Sequence, residues 1–200
     1  MRVTSGAELP RERPVLVLVG GADGMADGHF ERFALVLREL VPVLDALDAV
    51  VVDGGTDSGV MRAIGRARAA CGGRFPLIGV VPGGVSATFE PNHTETVLVP
   101  GDRWGAEAPW LAEVAATVAG TRPSVTVLAN GGQIAFEEAA LSLARERPLV
   151  VVRGTGRTAD AIADAVEPRA ARISASPLTA VVPLAGLVTH LARVLEEGAG

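Results

Sequence analysis

An α/β fold built on a doubly wound, mainly parallel sheet of about seven strands, with helices on both faces, follows from three features of the chain. Its short apolar runs are continuous rather than alternating, as a sheet covered on both sides requires. Each run gives way to a stretch whose apolar residues recur at helical spacing. Glycine-rich turns mark the points of change.

The first strand, 15–19, ends at Gly20 and Gly21, and Phe30, Phe33, Ala34, Leu37, Val41 and Leu44 then line one helical face. A second strand, 50–52, breaks at Asp53-Gly54-Gly55, after which Val60, Ile64, Ala67 and Cys71 repeat the pattern. Residues 75–81 form a third strand, and a Gly/Pro-rich excursion through PNHTET leads to a fourth at 96–99. Leu111, Val114, Ala115 and Val118 mark the next helix. Strand 125–128 precedes a helix carrying Phe136, Ala139, Ala140 and Leu143, and strand 149–152 precedes one carrying Ala159, Ile162, Ala163 and Val166. A strand at 180–182 and a helix opened by Pro183, with Leu184, Leu187, Leu191 and Leu195 on one face, close the chain. Strand and helix in regular alternation define a Rossmann-like fold.

The 200 residues suit a single domain, 14–200, preceded by a loose tail, 1–13, that carries charges and no apolar signal core. One cysteine, Cys71, excludes a disulfide framework and any multi-cysteine zinc site, and suggests a reducing, cytoplasmic setting. All 18 basic residues are arginine, a bias that GC-rich codon usage explains. Whatever its cause, the lack of lysine removes Walker A loops, pyridoxal Schiff bases and Ser-Lys or Tyr-Lys catalysis. A net charge of -5 with both signs interspersed leaves no basic stripe for nucleic acid. Residues 173–192 lack formal charge, but Pro177, Pro183 and His190 make them a strand and helix rather than a membrane span. Neither His29, His93 nor His190 has a second ligand at metal spacing, so no metal is expected.

In this architecture ligands bind at the carboxyl ends of strands, beside the positive ends of helix dipoles. Four such ends are glycine-rich: GGADG (20–24), GGTDSG (54–59), NGG (130–132) and GTGR (154–157). Glycine lets backbone approach a phosphate closely, and Thr56 and Ser58 add hydroxyl donors. Any one of these turns could serve the chain reversal alone; four of them point to an anion. Candidate contacts are Gly20, Gly21, Gly54, Gly55, Thr56, Asp57, Ser58, Gly59, Asn130, Gly131, Gly132, Gly154, Thr155, Gly156, Arg157 and Asp160. Arg157 at a helix start opposes the macrodipole by about 0.3–1 kcal/mol unless an anion reverses the sign. Asp57 would repel phosphate and suits a ribose hydroxyl instead. Asp160 reads either as a helix cap or as a ligand contact, and Trp104 and Trp110 either stack on a base or pack a loop.

VVVDGGTDSGVM, FEPNHTETVLVPG, SVTVLANGG and VVVRGTGRTAD, in this order, resemble the prokaryotic relatives of the N-terminal cytosolic domain of melastatin-type TRP channels. These form the LSDAT branch of the SLOG superfamily, which also holds the lonely-guy phosphoribohydrolases and Smf/DprA. The resemblance, over about 15–166, implies a cytoplasmic, homo-oligomeric sensor or effector that binds a nucleotide derivative. ADP-ribose, NAD or another nucleoside phosphate is the expected ligand, with no further cofactor required. It places Gly54, Gly55, Thr56, Ser58 and Gly59 at phosphate, with Gly154, Gly156 and Arg157 in the same pocket, and matches Asn92 and His93 to a family Asn-His pair as possible ligand contacts.

The lonely-guy loop PGGxGTxEE falls on NGGQIAFEE, which keeps both glycines and both glutamates but has Asn130, Ile134 and Ala135 where Pro, Gly and Thr belong. The accompanying arginine motif is not found. Glu137 or Glu138 would be catalytic in an alternative reading, cleavage of a base–ribose bond, by stabilising an oxocarbenium-like sugar or activating water. A third alternative is a non-catalytic oligomerisation scaffold.

Overall fold

Successive side chains of a strand point to opposite faces, and 15–19 shows the consequence at the centre of the molecule. Leu16 and Leu18 join one apolar core and Val15, Val17 and Val19 join another, all essentially inaccessible to water. The computed structural model describes residues 2–4, 9–21 and 27–197, with side chains for 9–21 and 28–197. Residues 22–24 of the first glycine turn lie outside them.

In chain order the elements are β1 (Arg2–Thr4), β2 (Val15–Gly20), α1 (Asp27–Ala46), β3 (Val50–Asp53), α2 (Gly59–Cys71), β4 (Leu77–Pro82), β5 (Glu95–Val99) and α3 (Ala108–Ala119). Then come β6 (Ser124–Ala129), α4 (Gln133–Ala144), β7 (Leu149–Arg153), α5 (Arg157–Ala163), α6 (Pro168–Ser174), β8 (Thr179–Pro183), a 3-10 turn (Leu184–Gly186) and α7 (Leu187–Glu197). The strands form one sheet in the order β1-β5-β4-β3-β2-β6-β7-β8, and every pairing is parallel.

Helices α1, α2 and α7 cover one face through Phe33, Leu37, Leu44, Ile64, Leu187 and Leu191. Helices α3 to α6 cover the other through Leu111, Val118, Phe136, Ala159 and Ile173. Each fully buried Val, Leu, Ile or Phe contributes about 1.5–3 kcal/mol, so the two cores dominate the stabilisation. The chain runs outward from β2 through β3, β4 and β5, then returns to lay β6 on the other side of β2. Val15 to Gly20 pair in register with Ser124 to Ala129. At this reversal the connections leaving β2 and β6 diverge, opening a crevice beyond their carboxyl ends.

Three details differ from the sequence reading. An eighth strand, β1, lies within the segment read as a loose tail and adds to the outer edge of β5. The helix read through Val166 ends at Ala163, leaving Val166 exposed. A separate short helix, α6, follows, started by Pro168, whose fixed φ suits a first turn and whose missing N–H is not needed there.

Candidate functional site

The crevice at the reversal encloses about 680 Å³. It is bounded by Gly20 and Gly21 after β2, by Gly54, Thr56, Asp57 and Ser58 after β3, by Gly132 after β6 and by Arg157 after β7. Ser86, Ala87 and Thr88 supply a further wall from the strap between β4 and β5. Trp104, Glu107, Ile134 and Glu138 complete the lining on the α3 and α4 side.

Close backbone contacts explain the turn residues. A Cβ on Gly20 would stand 2.0 Å from the Ala129 carbonyl oxygen, so no other residue lets β2 end so near β6. Gly55 has φ +67, and a Cβ there would meet Val81 Cγ2 at 2.8 Å and Gly79 Cα at 3.0 Å. The turn after β3 is thus pressed onto β4. Ser58 stands at the N-cap of α2 without using its side chain as a cap; its Oγ lies 3.2 Å from Thr56 Oγ1. Gly132 occupies the same position on α4 and has no side chain to cap with. Two helices of 13 and 12 residues therefore present uncapped starts to the crevice, an arrangement that favours anions.

Of the remaining expected residues, Gly55, Gly59, Asn130, Gly131, Gly154, Thr155, Gly156 and Asp160 support the crevice rather than line it, whereas Asp57 and Arg157 line it. Gly55, Gly59, Gly131, Gly154 and Gly156 shape the turns. Thr155 Oγ1 accepts the Asn130 N–H at 2.8 Å and donates to the Val152 carbonyl at 2.7 Å, tying the loop after β7 to the loop after β6. Asn130 itself is fully buried at φ +61, and its carboxamide meets no hydrogen-bond partner among the described residues. Asp160 accepts the N–H groups of Gly154 and Gly156 at 2.6 and 3.0 Å, which is the capping alternative. Asp57 lines the crevice with its carboxylate 2.8 Å from Arg62 Nε. Arg157 begins α5 at φ +49, with its Nη2 3.4 Å from where a Cβ on Gly132 would lie.

The two catalytic candidates separate. Glu137 points outward and is exposed, whereas Glu138 lines the crevice half-buried. Burial, reinforced by Glu107 and Glu137, pushes Glu138 up to about 8, so its carboxyl is neutral at pH 7. Glu107, missed in the sequence, is 7% exposed and accepts the Gly105 N–H at 2.7 Å; burial raises it too. Its position just before Pro109 reads as an ordinary helix start, which hides its orientation toward the crevice. Trp104 lines the cavity while Trp110 lies exposed on α3.

Asn92 and His93 do not reach the crevice. His93 is buried beneath the turn after β3, with Nε2 2.7 Å from Asp53 Oδ1 and Nδ1 3.0 Å from Glu90 Oε2. Asn92 donates to the same Glu90 carboxylate, through N–H at 2.8 Å and Nδ2 at 2.5 Å. Among the described residues no cluster of three His, Cys, Asp or Glu is arranged to hold a metal ion, and no helix there is long and apolar enough to cross a membrane.

The model of the family described as "SLOG in TRPM, prokaryote", LSDAT_prok, matches residues 13–192. The chain belongs to this LSDAT family. The motif resemblance, read over 15–166, therefore extends to nearly all of the sequence. No curated protein matches it. Similar solved structures include a molybdenum cofactor carrier protein from Chlamydomonas reinhardtii, 18% identical over 92% of this chain and 99% of that one, with a TM-score of 0.64. Another is a molybdenum cofactor binding protein from Rippkaea orientalis, 12% identical over 92% and 98%, with a TM-score of 0.66. At these identities the likeness is one of fold.

Proposed function

We propose that the crevice binds a phosphorylated nucleoside of ADP-ribose or NAD type and that the protein acts as a sensor or effector of that ligand. One observation carries this reading: turns from four separate strand ends meet in a single cavity, at the starts of α2 and α4, where no side chain caps the helix. Backbone N–H groups, the Thr56 and Ser58 hydroxyls and the Arg157 guanidinium are the donors that a phosphate takes. Trp104 and Ile134 supply apolar lining against which a base can pack. The volume, about 680 Å³, falls within the range of about 300–1,000 Å³ usual for small-molecule sites. Membership of the LSDAT family supports a general nucleotide- or ligand-binding role.

A second reading, cleavage of a base–ribose bond, is favoured by one feature. Burial raises the Glu138 carboxyl inside the crevice, which suits it to protonate a leaving base, and Glu107 lines the same cavity. Asn130, Ile134 and Ala135 stand against it, since they replace the residues of the lonely-guy loop.

Purified protein is heated with ADP-ribose, NAD, AMP or the molybdenum cofactor while released adenine and nicotinamide are measured. Stabilisation of about 2.7 kcal/mol at a hundred times the dissociation constant, without base release, is the expected result. Base release moves the assignment to the hydrolase. No thermal response to ADP-ribose, NAD or AMP overturns the nucleotide proposal, and a response to the molybdenum cofactor alone reassigns the crevice to that ligand.

A further inference from the structure

Both ring nitrogens of His93 face carboxylate oxygens, Asp53 Oδ1 at 2.7 Å and Glu90 Oε2 at 3.0 Å. An ionised carboxylate only accepts, so with Asp53 and Glu90 both ionised the two contacts are hydrogen bonds together only when the ring carries two N–H groups and a positive charge. The side chains of all three residues are almost completely buried, at 1%, 0% and 1% exposure for His93, Asp53 and Glu90. Burial works against the charge on His93, but Asp53 and Glu90 outweigh it and hold the imidazole up at about 9.

What this triad joins is the two walls of the crevice nearest α2. Asp53 Oδ1 also accepts the Gly55 N–H at 2.7 Å, which folds the turn back over the end of β3. Glu90 belongs to the strap, and its own N–H donates to the Gly55 carbonyl at 3.0 Å. Next to it the Asp57 N–H donates to the Thr88 carbonyl at 2.8 Å, and Thr56 and Phe89 form a bridge. Gly54, Thr56, Asp57 and Ser58 on one side, and Ser86 to Thr88 on the other, thus depend on the same buried contacts.

We propose that His93 is a positioning residue: held as an imidazolium between Asp53 and Glu90, it fixes the turn after β3 against the strap and sets the charge at which the crevice takes an anion. The part concerning the anion rests on the nucleotide reading above. Two charged groups face the ring, Asp53 from β3 and Glu90 from the strap. Arg68 from α2 meets the neighbouring residue instead, its Nη1 donating to the Asn92 carbonyl at 3.3 Å. β4 meets the ring with Gly79, which carries no charge. With its proton the triad sums to one negative charge; without it, to two, and one of the two bridging bonds is lost. Both changes disfavour a phosphate above the turn.

The test compares Glu138→Gln with Glu138→Gln/His93→Gln, because Glu138 titrates in the crevice over the same range. AMP affinity is measured across pH 7 to 10, where its phosphate remains doubly charged, its second pKa being about 6. In the Glu138→Gln protein the 13C-labelled His93 ring and the methyl groups of Thr56, Thr88 and Thr126 are followed by NMR. The expected result is a ring titration near 9, with Thr56 and Thr88 sharing its midpoint and the buried Thr126 unaffected. AMP binding to the single variant weakens roughly tenfold across that midpoint, and the double variant shows a flat profile. A ring that titrates without moving Thr56 and Thr88, or AMP affinity in the single variant that ignores the midpoint, overturns the assignment. Failure of AMP to bind at any pH counts against the nucleotide reading; the ring and methyl titrations need no ligand and decide the positioning role alone.

Discussion

Glu138 is held neutral at the cost of stability whenever the solution demands its ionisation. Its carboxyl is raised from 4.5 to about 8, so the folded protein binds a proton that the unfolded chain has released between those values. Stability from this group therefore falls as pH climbs from 4.5 toward 8. Glu138→Gln removes the effect: at pH 8 its melting temperature should exceed that of wild type by several degrees, converging at acid pH. Equal melting profiles would show that the carboxyl is solvated. Arg157 makes a complementary case. Arg157→Ala should weaken binding of ADP-ribose by about tenfold or more, the value of a charge-assisted hydrogen bond. A marked loss of ligand-free stability would make Arg157 structural.

Among elements, the pairing of β3 with β4 leaves little tolerance. A Cβ on Gly79 would lie 2.5 Å from Gly55 Cα and 3.1 Å from His93 Cδ2. Gly79→Ala should destabilise by about 1–3 kcal/mol, as overpacked cores do, and chemical denaturation would measure it. A neutral result would mean that the turn after β3 shifts at no cost. Most elements were legible because buried parallel strands are apolar throughout and their helices carry one apolar stripe. The short ones were not. Arg2–Thr4 has three residues and pairs only at the sheet edge, so no periodicity develops. In 168–174, Ala170 and Ile173 alone are buried, too few to set a helical stripe apart from a loop.

For the molecule as a whole, the convergence of glycine turns was legible because topology forces strand ends together. Gly20, Gly21, Gly54, Thr56, Asp57, Ser58, Gly132 and Arg157 do meet in one cavity. Glu107 and the strap residues Ser86 to Thr88 were hidden, since their loops approach the crevice only through tertiary packing. The Asn92-His93 pair was visible as a motif but not as a support, because beside the local Glu90 its other partners, Asp53 and Arg68, are distant in sequence and carry no local signal.

The order of strands also governs when the cavity comes into being. β2 emerges early in synthesis, yet its neighbour β6 starts only at Ser124, after β3, β4, β5 and three helices have been made. Closing so long a loop is entropically slow, and parallel sheets with such distant pairings fold late and cooperatively. A nascent chain ending before β6 would own the walls that follow β2 and β3 and the strap, but would lack Gly132, Glu138 and Arg157. Ligand recognition thus belongs to the finished chain: a bound nucleotide would reward only molecules that have completed their central seam.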